Sequence, residues 1–381
     1  MKILLVITGL GMGGAERQVV DLADRFVDEG HEVLILVLTG QSVIQPSRPQ
    51  VGLHLLGMRK SPVDVVKSIA RARALLQAFK PDVVHSHMRH ANLFARLLRL
   101  VTPMSRLIST SHTSNDGGRL WMWAYRWTDR FSDLTTNVSE AAAEAFRSRR
   151  AAPPDKLAVV YNGIDTEHFQ FNLQAREALR SDLLQAPSTT VFLAIGRLTE
   201  AKDYPTLLSA FARVQATREA VLWIVGSGPL EAMLRRMALD LAVSHKVVFL
   251  GTRSDVPQLL SAADVFVLSS RWEGFGLVIA EAMACKRPVV ATAAYGVTEV
   301  LGNEGWLVQP GNVTALGDAM MDAANTDAQC LARQGESAKE RVRENFSLSI
   351  IVQHWLKIYA MTGVGSDACD TKIKVSIKGK R

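Results

Sequence analysis

Short apolar runs bounded by polar residues alternate with longer segments of helical period from one end of the chain to the other. Runs of four to six aliphatic residues without polar alternation are expected of strands buried on both faces. Strands that alternate with helices predict parallel sheets covered on both sides, an α/β architecture. In the first half the pattern places strands at 3–8, 32–38, 83–86, 107–111, 134–138 and 157–160, with helices over 14–29, 63–79, 90–99, 119–130 and 139–148. The second half repeats the scheme with strands at 191–195, 221–225, 247–250, 265–268, 289–292 and 306–308, helices between them, and two closing helices near 327–344 and 348–361. Two doubly wound, Rossmann-like units therefore succeed one another. The expected boundaries are a first domain over 1–165, a second over 166–345, a helix over 346–364 returning to the first domain, and a basic tail over 365–381. Ligands of such sheets bind beyond the carboxyl ends of the strands, so a cleft between the units, hinged near Asn162-Gly-Ile-Asp165, is the expected site.

Length agrees with two domains, since 381 residues exceed what one core usually organises. The 48% apolar and 21% charged fractions are those of a folded globular chain. Cys285, Cys330 and Cys369 are dispersed, which argues against a disulfide framework or a zinc site and for a reducing compartment. The run Ile3-Leu-Leu-Val-Ile7 is too short for a signal peptide and reads as a buried first strand. No stretch approaches the roughly 18 apolar residues of a spanning helix.

The net charge of +7 is uneven: residues 1–165 hold 21 basic against 15 acidic residues, and the remainder 23 against 22. The basic half also contains Arg119-Leu-Trp-Met-Trp-Ala-Tyr-Arg-Trp127, whose mixture of aromatic and basic groups suits a lipid headgroup boundary. A core helix with a few surface arginines is the competing reading. Dispersed basic residues without a recognition module argue against nucleic acid.

The densest chemistry lies in residues 271–288, where Glu273 precedes Glu281 by eight positions and Gly274-Phe-Gly276 opens a helix after the strand 265–268. A strand-to-helix turn directs backbone NH groups at an anion, and two carboxylates beside it accept hydroxyl hydrogen bonds. A nucleotide sugar carries both kinds of group. Beyond the strand 191–195 come Arg197 and Lys202, a fork and a point charge able to clamp a diphosphate. Gly226-Ser-Gly-Pro229 makes a further glycine turn, and Leu250, Gly251 and Arg253 end the next strand where backbone groups can read a base edge. Near the front, Gly9, Gly11 and Gly14 satisfy the GxGxxG spacing of a dinucleotide site. The acidic residue that such a site wants after the second strand is missing, because Leu38-Thr39-Gly40 is neutral. His85 and His87 alternate at a strand end without a third ligand at metal-binding spacing.

In this order the segments Gly13-Gly-Ala-Glu-Arg17, His85-Ser-His87, His112, Asn162-Gly-Ile-Asp165, Gly196-Arg197 with Lys202, Gly226-Ser-Gly-Pro229 and Glu273 with Glu281 make the chain resemble the retaining glycosyltransferases of family 4, which have the GT-B fold. It looks most like the bacterial branch that builds lipid-linked O-antigen, capsule or N-glycan precursors. The resemblance implies that Arg197 and Lys202 bind the donor diphosphate, approached by backbone NH groups near Gly13 and Gly14. It gives Glu281 the ribose hydroxyls. Glu273 takes the hydroxyls of the transferred sugar, with backbone donors at Gly274, Phe275, Gly276 and Leu277, and His112 lies near the sugar's C6. Leu250, Gly251 and Arg253 fall near the base, and UDP is the commonest nucleotide of this branch.

The resemblance thus implies a retaining transferase that moves a hexose or N-acetylhexosamine from a UDP-sugar to a lipid-linked, polyprenyl diphosphate saccharide, peripheral on the cytoplasmic face of the plasma membrane. Arg197 and Lys202 stabilise the departing diphosphate, and retention comes from a carboxylate nucleophile or from attack on the leaving-group side. No Asp-x-Asp motif is present, and neither metal nor cofactor is expected. A GT-B enzyme with a soluble acceptor, a nucleotide-sugar epimerase, an NAD-dependent dehydrogenase and a non-catalytic partner subunit are the alternatives.

Overall fold

A computed structural model describes residues 1–40, 42–59, 61–113, 118–183 and 188–361, the Arg119 side chain excepted. Two compact units emerge among the described residues: 1–163 with 348–361, and 164–347. The expected basic tail lies outside the described residues.

The first unit holds strands β1 (Lys2–Ile7), β2 (Glu32–Val37), β3 (Gly52–Leu55), β4 (Val83–His87), β5 (Leu107–Ser111), β6 (Leu134–Asn137) and β7 (Leu157–Val159). Helices α1 (Gly14–Asp28), α2 (Pro62–Phe79), α3 (Arg89–Arg99), α4 (Arg119–Thr128) and α5 (Glu140–Ser148) alternate with them. The sheet is parallel throughout, in the order β3-β2-β1-β4-β5-β6-β7.

The second unit opens with α6 (Leu173–Asp182) and continues through β8 (Thr190–Ile195), α7 (Tyr204–Gln215), β9 (Ala220–Val225), α8 (Glu231–Asp240), β10 (Val247–Gly251), α9 (Val256–Ala262) and β11 (Val265–Leu268). It ends with α10 (Leu277–Ala284), β12 (Val289–Thr292), α11 (Val297–Leu301), β13 (Trp306–Val308), α12 (Val313–Asn325) and α13 (Ala328–Asn345). Its parallel order is β10-β9-β8-β11-β12-β13. In each sheet the first strand is central and the winding reverses beside it, between β1 and β4 and between β8 and β11. Loops diverge at such a reversal and leave room for a ligand.

The apolar runs are buried as their composition demands. All six residues of β9 are inaccessible or nearly so, and Phe192 meets Phe211 edge-on at 6.3 Å in the core beneath β8. The last described helix, α14 (Leu348–Ala360), belongs to the first unit. There Tyr359 packs against Phe26 of α1 at 5.5 Å and Trp355 against His85 at 4.4 Å.

Two elements depart from the sequence pattern. β3 is an edge strand whose Leu53 and Leu55 are exposed, so it lacks the apolar run of a central strand. The polar segment expected to be a junction contains α6, capped by Asn172, whose Oδ1 accepts from the Ala175 NH at 2.9 Å. Arg176 and Arg180, one turn apart, reach the Asp264 carboxylate at the foot of β11.

Candidate active site

At the reversal of the second sheet the loops leaving β8 and β11 are laced together. The Arg271 NH donates to the Ala201 carbonyl at 2.8 Å, and Ser269 Oγ donates to the Lys202 carbonyl at 2.7 Å. The Arg271 guanidinium meets both oxygens of Asp203, with Nε at 3.0 Å from Oδ2 and Nη2 at 3.3 Å from Oδ1. Asp203 is buried in the left-handed region, at φ 45° and ψ 47°, where Thr206 Oγ1 also donates to it at 2.8 Å. A strained residue held from several sides fixes the loop that carries Lys202. On the β12 side, Thr292 Oγ1 donates to the Ser270 carbonyl at 2.5 Å.

This lacing brings Lys202 and Glu273 together. The ammonium donates to Glu273 Oε1, which also accepts from Ser270 Oγ at 2.7 Å, and the two side chains are 19% and 13% exposed. Partial burial strengthens the attraction relative to a surface pair. The phenol of Tyr204, which donates to the Gly196 carbonyl at 3.0 Å, is pushed up by burial and by the nearby Glu273 carboxylate.

Glycines let neighbouring loops touch through their backbones. A Cβ on Gly228 would lie 2.5 Å from the Leu198 carbonyl oxygen, and one on Gly296 would lie 2.5 Å from that of Gly274 and 2.9 Å from Phe275 Cα. Gly226 donates its NH to the Gly251 carbonyl at 2.7 Å, and Leu198 donates to that of Ser227 at 3.0 Å. The turns after β8, β9, β10, β11 and β12 thus form one connected rim.

Each predicted residue of this unit can be placed on that rim or beside it. Arg197 is exposed and forms no ion pair among the described residues. Glu273 and Gly274 lie in the loop, and Phe275 buries its ring edge-on to Phe346 at 5.5 Å, which leaves only its backbone for a ligand. Gly276 caps α10 at φ 89°, Leu277 begins the helix, and Glu281 is its fifth residue, half-buried. Leu250 and Gly251 end β10, while the Arg253 guanidinium is held by both Asp255 oxygens at 2.7 and 2.5 Å. Sequence reasoning missed Ser270, Arg271, Asp203 and Gly296. The pair of hydroxyls at Ser269-Ser270 directly after an apolar strand was the available signal.

In the first unit, Gly13 and Gly14 open α1, with the Glu16 side chain folded over Gly13. In the middle of β4, His85 Nδ1 lies 2.6 Å from Tyr359 Oη and Nε2 lies 2.7 Å from Thr110 Oγ1 of β5. His87 Nδ1 lies 3.2 Å from His112 Nε2. Burial holds all three imidazoles below their ordinary range, His112 at about 4. No group of three His, Cys, Asp or Glu residues among the described residues is placed to hold a metal ion.

The aromatic stretch on α4 splits in two. Tyr125 is buried, takes a hydrogen bond from Asn92 Nδ2 at 2.9 Å and stacks edge-on to Phe146, so it is core. Trp121 is partly covered by the Arg89 guanidinium, 4.4 Å from its ring centroid. Trp123 and Trp127 are 61% and 57% exposed with centroids 5.4 Å apart, beside Leu120 at 79%. Among the described residues no helix is long and apolar enough to cross a membrane.

The family model for glycosyl transferases group 1 matches residues 175–341, and that for glycosyltransferase family 4 matches 12–168. N-acetyl-alpha-D-glucosaminyl L-malate synthase of Bacillus anthracis is 25% identical over 94% of this chain and 97% of its own length. Alpha-maltose-1-phosphate synthase of Mycobacterium tuberculosis is 30% identical over 82% and 85%. UDP-Gal:alpha-D-GlcNAc-diphosphoundecaprenol alpha-1,3-galactosyltransferase of Escherichia coli is 25% identical over 74% and 76%. Among solved structures, Anabaena Alr3699/HepE in complex with UDP and glucose superposes with a TM-score of 0.81 at 23% identity, over 94% of this chain and 99% of that one. Two parallel-sheet units with this strand order, matched over residues 12–168 and 175–341 by the two family models in succession, make the chain a glycosyltransferase of family 4 with the GT-B fold.

Proposed function

We propose that the protein transfers a hexose or N-acetylhexosamine from a UDP-sugar to a lipid-linked saccharide, with retention of configuration. The convergence of Lys202 and Glu273 at the reversal between β8 and β11 carries this reading, with Arg197 in the same loop and Glu281 along α10. Arg197 and Lys202 meet the diphosphate and stabilise the charge that develops as it leaves. Glu281 accepts from the ribose hydroxyls. Glu273 Oε1 is committed to Lys202 and Ser270, so Oε2 is the oxygen offered to the sugar. Glu273 then orients the sugar, and the departing phosphate takes the acceptor's proton as attack occurs on the same face. The base is read near Leu250, Gly251 and Arg253. Gly13, Gly14 and His112 receive donor-contacting roles on the family resemblance alone.

A lipid-linked acceptor is supported by the exposed Leu120, Trp123 and Trp127 on α4, with Arg126 and Arg130 beside them, an apolar and basic face suited to an anionic membrane surface. The Escherichia coli relative is named for such an acceptor. Thermal unfolding with UDP-, GDP-, ADP- and TDP-sugars, paired with sedimentation on anionic vesicles, tests the reading. Stabilisation by UDP-sugars, and vesicle binding lost on Trp123→Ser with Trp127→Ser, are expected. A protein indifferent to UDP-sugars, or one that ignores vesicles while acting on a water-soluble glycan, would refute the donor or the acceptor assignment respectively.

A further inference from the structure

The ammonium assigned to the diphosphate rests on the carboxylate assigned to the sugar. The pair is built rather than incidental: Ser270 Oγ holds the same oxygen of Glu273, Ser269 Oγ holds the Lys202 carbonyl, and Arg271 on Asp203 fixes the loop between them. Glu273 therefore does two opposing things at one place. Its negative charge offsets the ammonium that a diphosphate seeks and repels the diphosphate directly. Its other oxygen, Oε2, forms no hydrogen bond among the described residues and offers an acceptor that sugar hydroxyls can fill.

We infer that Glu273 makes the site discriminate against its own leaving group, so that bare nucleoside diphosphate binds more weakly than it would beside Lys202 alone. A sugar-bearing donor compensates the carboxylate with hydroxyl donors; after transfer the compensation is gone and the same charge favours release. Discrimination of this kind works by repulsion of the unwanted ligand rather than by added attraction for the wanted one. The inference rests on the assignment of Lys202 to the diphosphate and of Glu273 to the sugar.

Its mark is an inverted effect of one isosteric change. Glu273→Gln removes the charge and keeps the shape. It should tighten UDP about three- to tenfold, the range of a partly screened ion pair, and weaken UDP-glucose. Because the effect lies at the phosphate, GDP should tighten in the same sense, and the gain should shrink as salt is raised from about 0.05 to 0.5 M. Titration calorimetry with UDP, GDP and UDP-glucose on the full chain supplies the readout, with Lys202→Met as the second variant and the melting temperature of each as a check on folding. Should Lys202→Met weaken UDP while Glu273→Gln leaves it unchanged or weaker, the inference is overturned and the site assignment stands. Unchanged UDP binding in Lys202→Met would overturn both.

Discussion

Gly296→Ala separates the cost of a backbone conformation from the cost of a close approach. Gly296 sits at φ 80°, and a Cβ there would lie 2.5 Å from the Gly274 carbonyl oxygen, against 3.4 Å for ordinary contact. Some 0.9 Å of separation is therefore needed between the turn after β12 and the loop carrying Glu273. Gly311 in the same unit has φ 76° and nothing within 4 Å of its Cβ position, so Gly311→Ala incurs the conformational cost alone, about 1–2 kcal/mol. Overpacking adds about 1–3 kcal/mol at Gly296. In a unit of this size each kcal/mol lowers the melting temperature by roughly 2–4 °C, so Gly296→Ala should melt several degrees below Gly311→Ala. Its larger effect is on ligand: a shift approaching 1 Å in a reacting group can cost about a hundredfold. UDP-glucose affinity and turnover should fall in Gly296→Ala, while Gly311→Ala keeps both. Scanning calorimetry and titration on the two variants decide the matter. Equal melting temperatures and equal affinities for UDP-glucose would refute the close packing of these two turns.

Individual contacts carry further expectations. Glu281→Gln should weaken UDP about tenfold, the worth of a charge-assisted hydrogen bond, and erase any preference for UDP over its 2′-deoxy form; a preserved preference in titration would count against the ribose role. Asp129→Ala leaves the fully buried Arg96 without its carboxylate partner at 3.2 Å and should lower stability by about 3–5 kcal/mol in urea unfolding, whereas a loss below about 1 kcal/mol would show the ion pair to be dispensable beside the hydrogen bonds Arg96 keeps to Thr128 and Thr135. Because burial holds His85, His87 and His112 below 6.5, the unfolded chain binds protons that the folded unit refuses. Their stabilisation is complete above pH 6.5 and declines as pH falls towards 4, by up to about 1.4 kcal/mol per pH unit for each histidine. Urea midpoints of the first unit between pH 7 and 5 should fall, less steeply in His87→Asn; a flat profile would contradict the burial of neutral imidazoles. Trp123→Ser with Trp127→Ser should abolish sedimentation with anionic vesicles without lowering the melting temperature, because both rings are exposed.

The parallel architecture was legible because central strands carry uninterrupted apolar runs, as in Val221 through Val225, and because no folding interaction has to be known to count them. β3 was not legible: an edge strand of four residues, begun by Gly52 and with two exposed leucines either side of His54, is too short to register as a run or an alternation. α6 was hidden for another reason. Its apolar content is slight, and the partner of Arg176 and Arg180 is a carboxylate 88 and 84 residues further on. The site divides likewise. Arg197, Lys202, Glu273 and Glu281 are candidates named from the strand-end loops and the helix start they occupy, yet the contact between Lys202 and Glu273 spans 71 residues and exists only because β8 and β11 are neighbours. That adjacency altered the chemistry assigned to them, from two separate subsites to one coupled pair. Tyr125 shows the reverse limit, since a stretch of alternating rings cannot reveal which of them the core has taken.

The decisive measurement is transfer itself. The full chain is incubated with anomerically labelled UDP-sugars and a polyprenyl diphosphate saccharide, and the configuration of the new linkage is read by NMR, with Arg197→Ala as the inactive control. Sugar transfer with the donor's anomeric configuration retained, and lost in Arg197→Ala, is the predicted result. An inverted linkage, or transfer undiminished in Arg197→Ala, would contradict the proposed reaction.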